Sequence, residues 1–216
     1  MKKIYSIFGM ISPLFYLIHV IIGSMLWSGY NNITQPISDL TATGAPNREI
    51  LNIFTNMYGI FGLIFSIGSF NYLKKLKIKI INFSMIIFIA MVLIGVSYGF
   101  FPEDMAGATM TFEGFMHLVV TALIVPTAIL APLCTGIGFR KIADFKKFSS
   151  YSIATSVIIF VSGGMSVIAI ANKIPIFGVI ERINIGSLQL WIFIFALIIF
   201  TKDIGKITKA NISSLI

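Results

Sequence analysis

The chain has 216 residues, of which 57% are hydrophobic and 11% are charged, and its formal net charge is +8. Soluble domains carry about 25% charged residues, so this chain is too apolar to be covered by its own polar surface in water and is predicted to lie in lipid. The lysines stand between apolar runs and form no basic stripe interleaved with aromatics, which argues against nucleic-acid binding. A single cysteine, Cys134, excludes an internal disulfide.

Six apolar runs are each long enough to cross a bilayer, for which a helix needs about 20 apolar residues. Runs of this length without alternation are typical of helices and not of barrel strands. The start resembles a signal peptide, but its apolar run is long and no small-residue cleavage site follows, so we expect a retained first span. The sequence predicts an all-α, six-transmembrane-helix bundle, forming a single membrane domain over 1–216, with spans at about 5–27, 50–73, 80–100, 114–134, 148–171 and 183–201.

The basic residues predict the orientation of these spans. If the N-terminus is cytoplasmic, the outer segments hold only Arg48, Lys173 and Arg182 of the 16 basic residues. The same segments hold most of the acids, namely Asp39, Glu49, Glu103, Asp104, Glu113 and Glu181. Since cytoplasmic loops carry the excess of Lys and Arg, both termini are predicted to be cytoplasmic, with outer loops at 28–49, 101–113 and 172–182. The tail, 207–216, is predicted to be loosely held.

The first outer loop is too long to be a simple turn. Ser38 and Asp39 are predicted to cap a short interfacial helix over 39–43, which Gly44 and Pro46 would end. Asn47 is predicted to cap the second span. Glu49 then falls in the first turn of that span, where the helix dipole favours an acid.

Polar residues inside spans are costly and mark functional sites by default. Both histidines fall in spans, His19 in the first and His117 in the fourth, and Glu113 lies one turn before His117 on the same face. Further polar residues of the outer halves are Asn52, Asn56, Ser97, Tyr98, Thr121, Asn184, Ser187 and Gln189. Together these residues predict an outward-opening polar pocket.

Several hypotheses for this pocket remain open. In one, His19, His117 and Glu113 bind a metal ion, since imidazoles and carboxylates suit Zn²⁺ and similar ions. In another, His117, Glu113 and Asp104 are catalytic acids and bases. In a third, the pocket binds a ligand without chemistry, and in a fourth the histidines only lock helices together. The chain lacks a nucleotide-binding loop, a nucleophile elbow and a cysteine metal pair, which argues against ATPase, serine hydrolase and thiol redox roles.

Four short motifs resemble those of one known family. They are Pro36-Ile37-Ser38-Asp39-Leu40, Pro46-Asn47-Arg48, Phe101-Pro102-x-Asp104 and Gly114-x-x-His117. Their order and placement are similar to the DUF998 family of small prokaryotic integral membrane proteins, over roughly residues 5–200. The resemblance implies a six-helix bundle in a prokaryotic plasma membrane, without an assigned activity. The positions that it implies for a site are Ser38, Asp39, Asn47, Arg48, Asp104 and His117.

The leading expectation is a protein that binds a lipid or small amphiphile in the polar pocket. Its candidate ligand-binding residues are Ser38, Asp39, Asn47, Arg48, Asn56 and His19. Asp39, Arg48 and Asp104 are further expected to form a charge network that pins the first two outer loops over the bundle. The alternatives are a membrane-embedded lipid hydrolase or transferase, with or without a metal, and a small transporter or immunity-type factor. Membrane lipids are the expected partners, and no nucleic acid is expected, while the sequence leaves the cofactor and any protein partner unknown.

Overall fold

The computed structural model describes residues 2–202, so the predicted loose tail at 207–216 lies outside the described residues. Six helices are long and apolar enough to cross a membrane, which confirms the all-α, six-span prediction. They are α1 (Lys2–Leu26), α2 (Arg48–Leu73), α3 (Lys79–Val96), α4 (Phe112–Phe139), α5 (Lys146–Ala171) and α6 (Phe177–Thr201). Single 3₁₀ turns lie at Ser38–Thr41, Lys74–Leu76, Ser97–Gly99 and Ala143–Phe145.

The helices form a closed ring. Each helix packs against its neighbours in the chain, and α6 closes the ring against α1. The Nζ of Lys2 donates to the carbonyl of Lys202 at 2.7 Å, so both ends of the described chain lie at one end of the bundle. We call this the lysine end, and we call the opposite end, with segments 27–47, 97–111 and 172–176, the loop end. The placement of the lysine end in the cytoplasm stays a prediction.

Aromatic side chains fill the interior toward the lysine end. Phe65, Phe88, Trp191 and Phe195 have no exposed surface, and their rings meet at centroid distances of 5.2–6.2 Å. The Trp191 indole donates to the Ser152 hydroxyl at 2.9 Å, so its polar group is satisfied. Because lipid is as apolar as these side chains, close packing and not escape from water holds the helices together here.

Helix α6 begins at Phe177 and not near 183. Its early start places Glu181 and Arg182 inside the first turns of a span, where hydropathy alone predicts a loop. These charges are tolerated in the helix because both bind the first loop, as described below.

Loop 28–49 also departs from its predicted caps. The short helix spans Ser38–Thr41 as a 3₁₀ turn, and no side chain caps it. Asn47 does precede α2, but its left-handed φ of 62° turns its side chain away from the helix, which it does not cap. Its Nδ2 instead donates to the carbonyl of Leu26 at 3.4 Å, which ties the end of α1 to the start of α2.

Candidate functional site

Arg182 fastens the first loop onto the bundle. Its Nη1 donates to the carbonyls of Gln35 and Gly178 at 3.0 and 2.9 Å. Its Nη2 donates to the Tyr30 hydroxyl at 2.7 Å and to Asn32 Oδ1 at 2.8 Å. A planar guanidinium suits such a set of divergent acceptors, which a lysine ammonium would not match. One side chain of α6 therefore organises three separate points of the loop.

Tyr30 connects Arg182 to a further point of the loop. Its hydroxyl accepts from Arg182 and donates to the Pro36 carbonyl at 2.7 Å. Burial raises the pKa of Tyr30 to about 12, although the hydrogen bond and charge of Arg182 lower it. The phenol therefore stays protonated at physiological pH and keeps its role as a donor.

Glu181 completes the attachment, because its carboxylate accepts the backbone N–H of Ile37. Ile37 and Leu40 are buried and pack with Leu51 of α2. We call residues 35–41 the lid, since they cover the loop end of the bundle. Sequence reasoning did not include Glu181 and Arg182 among the site residues. The available signal was an adjacent acid and base at the start of an apolar span, where charge is costly.

The second loop is clamped through Asp104. Its carboxylate accepts the Thr111 N–H and the Thr111 hydroxyl, both at 2.8 Å, and that hydroxyl accepts the Gly114 N–H at 3.0 Å as the N-cap of α4. Thr43 pairs with this segment by donating its N–H to the Glu103 carbonyl at 2.8 Å. The two loops are thus joined by backbone pairing.

The expected network of Asp39, Arg48 and Asp104 is not formed. Asp104 binds Thr111, and Asp39 accepts from the Gln35 side chain at 3.2 Å. The Nε of Arg48 is buried and has no hydrogen-bond partner among the residues described. Arg182, Glu181 and Asp104 hold the loops through neutral backbone and side-chain partners, in place of the expected charge pairs.

The residues predicted for metal binding form no metal-binding group in the part of the chain that the structure describes. His117 Nδ1 lies 3.0 Å from the Phe101 carbonyl, which can only accept, so this nitrogen carries the hydrogen. Its ring packs on Tyr98 at 4.7 Å, while Glu113 is exposed in the first turn of α4. Within residues 2–202, no three His, Cys, Asp or Glu side chains are grouped to hold a metal ion. Ser38 is half-buried in the lid, and Asn56 is exposed on α2.

His19 lies on the face of α1 that turns inward. It is 2% exposed and packs edge-on against Tyr16 at 5.5 Å. Neither ring nitrogen makes a hydrogen bond of good geometry among the described residues, and the backbone of Tyr16 is the polar group that faces the ring. Tyr16 in turn packs against Tyr58 of α2 at 5.1 Å, and Tyr58 accepts from the Gln189 side chain at 3.0 Å. The sequence singled out His19 and Gln189, but not the two tyrosines, because tyrosines in a span are usually packing residues.

A cleft of about 450 Å³ opens at the start of α2, beside the attachment of the lid. It is lined by Ala45, Asn47, Arg48, Glu49, Ile50 and Asn52. Two of these residues, Asn47 and Arg48, are candidate ligand-binding residues from the sequence. The cleft therefore gathers polar groups at the level where the apolar surface of α2 begins.

The pattern of the family described as "Protein of unknown function (DUF998)" matches residues 10–198. The chain belongs to this family. No curated protein and no solved structure matches it. In this DUF998 protein, all four motifs lie at the loop end, where Asp104 and Gly114 from two of them meet in one clamp. The family resemblance drawn from the motifs is thus confirmed, and the motifs correspond to the attachment of the two loops.

Asp39 is expected to make the stability of this DUF998 protein depend on pH. Burial raises the pKa of Asp39, Glu103 raises it further, and the Gln35 amide lowers it. An acid with a raised folded-state pKa favours folding below its unfolded pKa, and this contribution is lost as pH rises through the folded pKa. Asp39→Asn should therefore raise the thermal midpoint at pH 7, and the gain should shrink as pH falls toward 4, the usual range for Asp. Melting curves at several pH values check this, and a gain that is independent of pH would contradict it.

Proposed function

We propose that this DUF998 protein binds a phospholipid or similar phosphate-bearing amphiphile at the cleft beside α2. The headgroup would occupy the cleft, with its phosphate at Arg48, and the acyl chains would follow the lipid-facing surface of α2. The observation that carries this proposal is the unpaired Arg48 in the wall of the cleft.

Arg48 differs from the other arginine of the loop end. Both terminal nitrogens of Arg182 donate hydrogen bonds, to four acceptors of the protein in all. Arg48 lies in the first turn of α2, and its Nε is buried without a partner. A guanidinium offers a planar fork that matches phosphate oxygens in a bidentate manner. The start of a helix adds unpaired N–H groups and a favourable dipole for an anion.

The surface below the cleft suits acyl chains. Ile50 and Ile53 are 49% and 61% exposed, and the exposed stripe continues down the helix at helical spacing through Ile60, Ile64 and Ile67. Asn52 supplies an amide for the polar headgroup. Glu49 also lines the cleft, but it is exposed, so water and salt screen its charge. A polar cleft above an apolar stripe matches the polar headgroup and the apolar chains of an amphiphile.

The test is lipid binding by native mass spectrometry, with the purified protein in mild detergent and phosphatidylglycerol as the added lipid. Arg48→Gln removes the charge but keeps a polar side chain, and it should weaken binding about tenfold, since hydrogen bonds to charged groups are worth about 1.5–3 kcal/mol. Lys173→Gln is the matched control, because Lys173 is an exposed cation at the same end of the bundle. We expect its binding to be unchanged.

Diacylglycerol, which has the acyl chains without the phosphate, completes the experiment. We expect it to bind weakly and equally to all variants. If Arg48→Gln binds phosphatidylglycerol as the native protein does, or if diacylglycerol competes as well as phosphatidylglycerol, the proposed phosphate contact is wrong.

A further inference from the structure

A polar contact crosses the interior of the bundle beneath the lid. Gln189 of α6 donates to the hydroxyl of Tyr58 on α2 at 3.0 Å. These two helices are separated in the ring by α1, so the hydrogen bond runs through the inside. Tyr16 of α1 packs against Tyr58 at 5.1 Å. Three helices therefore bring polar side chains together inside the ring.

These side chains gather inside the ring. Tyr16, Tyr58, Tyr98 and Gln189 are each half-buried, and Tyr58 contacts both Tyr16 and Gln189. Below them lie the aromatic residues around Trp191, which have no accessible surface, and above them lies the lid. We call this group of residues the chamber, and we define it by Tyr16, Tyr58, Tyr98, Gln189, His19 and Glu181.

Several polar atoms of the chamber have no partner in the described chain. His19 is 2% exposed, and its ring makes at most one hydrogen bond, to the backbone of Tyr16, so at least one ring nitrogen has no partner among the described residues. The side-chain oxygen of Gln189 is buried and unpaired. Tyr16 donates its hydroxyl to no described residue. Buried polar groups are almost always hydrogen-bonded in native proteins, so this concentration of unpaired atoms indicates a site that a ligand completes.

The charge of the chamber indicates the class of ligand. One oxygen of Glu181 accepts from Ile37, and its other oxygen accepts from no described residue. Glu181 binds the Ile37 N–H, and Tyr16 packs against the cluster of buried residues that contains Ile37, so the carboxylate lies on the same side of the bundle as Tyr16. Arg182 is adjacent in the chain, but its donors are taken up by the lid and by the first turn of α6. The chamber is thus rich in acceptors, with a carboxylate that lacks a paired cation.

The acceptors and the carboxylate favour a cationic ligand, and the aromatic rings favour it as well. Tyrosine faces attract ammonium cations, and the attraction grows when water is excluded. The unpaired acceptors are a carboxylate oxygen of Glu181, the amide oxygen of Gln189 and one nitrogen of a neutral His19. A primary ammonium carries three N–H donors, which matches three acceptors at once.

We propose that the chamber is a binding site for a primary ammonium group, carried either by a small soluble amine or by an aminophospholipid. This site is separate from the Arg48 cleft, and it does not depend on the phospholipid proposal. The amine donates to Gln189 and Glu181 and lies against the faces of Tyr16 and Tyr58.

The test is isothermal titration of ethylammonium into the full-length protein in nanodiscs of phosphatidylglycerol, with ethanol as the uncharged probe of similar size. We expect ethylammonium to bind and ethanol not to bind. Gln189→Leu removes an acceptor and should weaken binding at least tenfold. Tyr16→Phe keeps the ring and removes only the free hydroxyl, so it should cause a smaller loss and leave the fold intact.

Tyr5→Phe is the matched control, because Tyr5 is on the same helix at the lysine end. It should bind as the native protein does. Absence of ethylammonium binding, or equal affinity in the native protein and Gln189→Leu, would overturn the proposal. Arg48→Gln should leave this binding unchanged, which separates the chamber from the cleft.

A second set of nanodiscs, which contain phosphatidylethanolamine, identifies the source of the ammonium group. If the lipid supplies it, added ethylammonium will no longer bind there, and Gln189→Leu will lose the bound aminophospholipid in native mass spectra. If ethylammonium binds equally in both sets, the natural ligand is a soluble amine. Both results support an ammonium site and assign its source.

Discussion

Replacing Arg182 by alanine is expected to release the lid while the six helices remain formed. The change removes four hydrogen bonds of 2.7–3.0 Å and leaves the Gln35 carbonyl without its partner. It also removes the cation from the ring of Tyr30, which lies 5.6 Å away. Loss of partners for buried polar groups costs about 3 kcal/mol in total, which is large among single substitutions.

Hydrogen exchange followed by mass spectrometry measures this directly. The amides of Ile37, Leu40 and Ala42, which are bonded in and beside the lid, should exchange at least tenfold faster in Arg182→Ala. Circular dichroism should show an unchanged helix content. Arg182→Lys should rescue only part of the protection, because an ammonium cannot reproduce the fork. Lys173→Ala serves as the control, and unchanged lid exchange in Arg182→Ala would show that the lid is held by other contacts.

Gly114→Ala is expected to break the clamp of the second loop. A Cβ at this position would overlap the Asp104 carboxylate, which lies directly over the first turn of α4. The carboxylate would have to leave its two hydrogen bonds to Thr111. Overpacking of this kind costs about 1–3 kcal/mol, which corresponds to a fall of about 5 °C in the thermal midpoint for a chain of this size.

A thermal melt of the detergent-solubilised variant measures the effect, and Gly186→Ala provides the control. A Cβ at Gly186 of α6 would meet no atom within 4 Å. Alanine is the better helix former, so the midpoint should stay the same or rise slightly. In an Asp104→Ala background the overlap is gone, and Gly114→Ala should cost much less there. Equal costs in both backgrounds would mean that the two residues do not interact.

These two attachments give the motifs of the family a physical meaning in this chain. Glycine at 114 leaves room for Asp104, and Asp104 binds the residue that caps α4. Loop one is held from α6 by Arg182, which lies outside all four motifs. The loop end is therefore an assembled surface, built from segments that are far apart in the chain.

The sequence by itself was sufficient to predict the number of spans and their approximate positions. Each span of about 20 apolar residues must form a helix, since lipid offers no partner for the backbone. Five spans begin within three residues of their predicted starts, and α6 does not. Its first turns contain Glu181 and Arg182. A hydropathy pattern assigns charged residues to a loop, because it does not take into account what they bind.

Only the tertiary structure decided which polar residues meet. The sequence offered His19 and His117 as possible partners in one site, and the structure shows the neighbours of each: Tyr16 beside His19, and Tyr98 and Phe101 beside His117. The same ring brings Gln189 to Tyr58 across the interior. Spacing along one helix shows which residues share a face, whereas contacts between helices depend on how each helix packs. Local apolarity therefore determined the membrane architecture, and packing determined the lid, the cleft and the chamber.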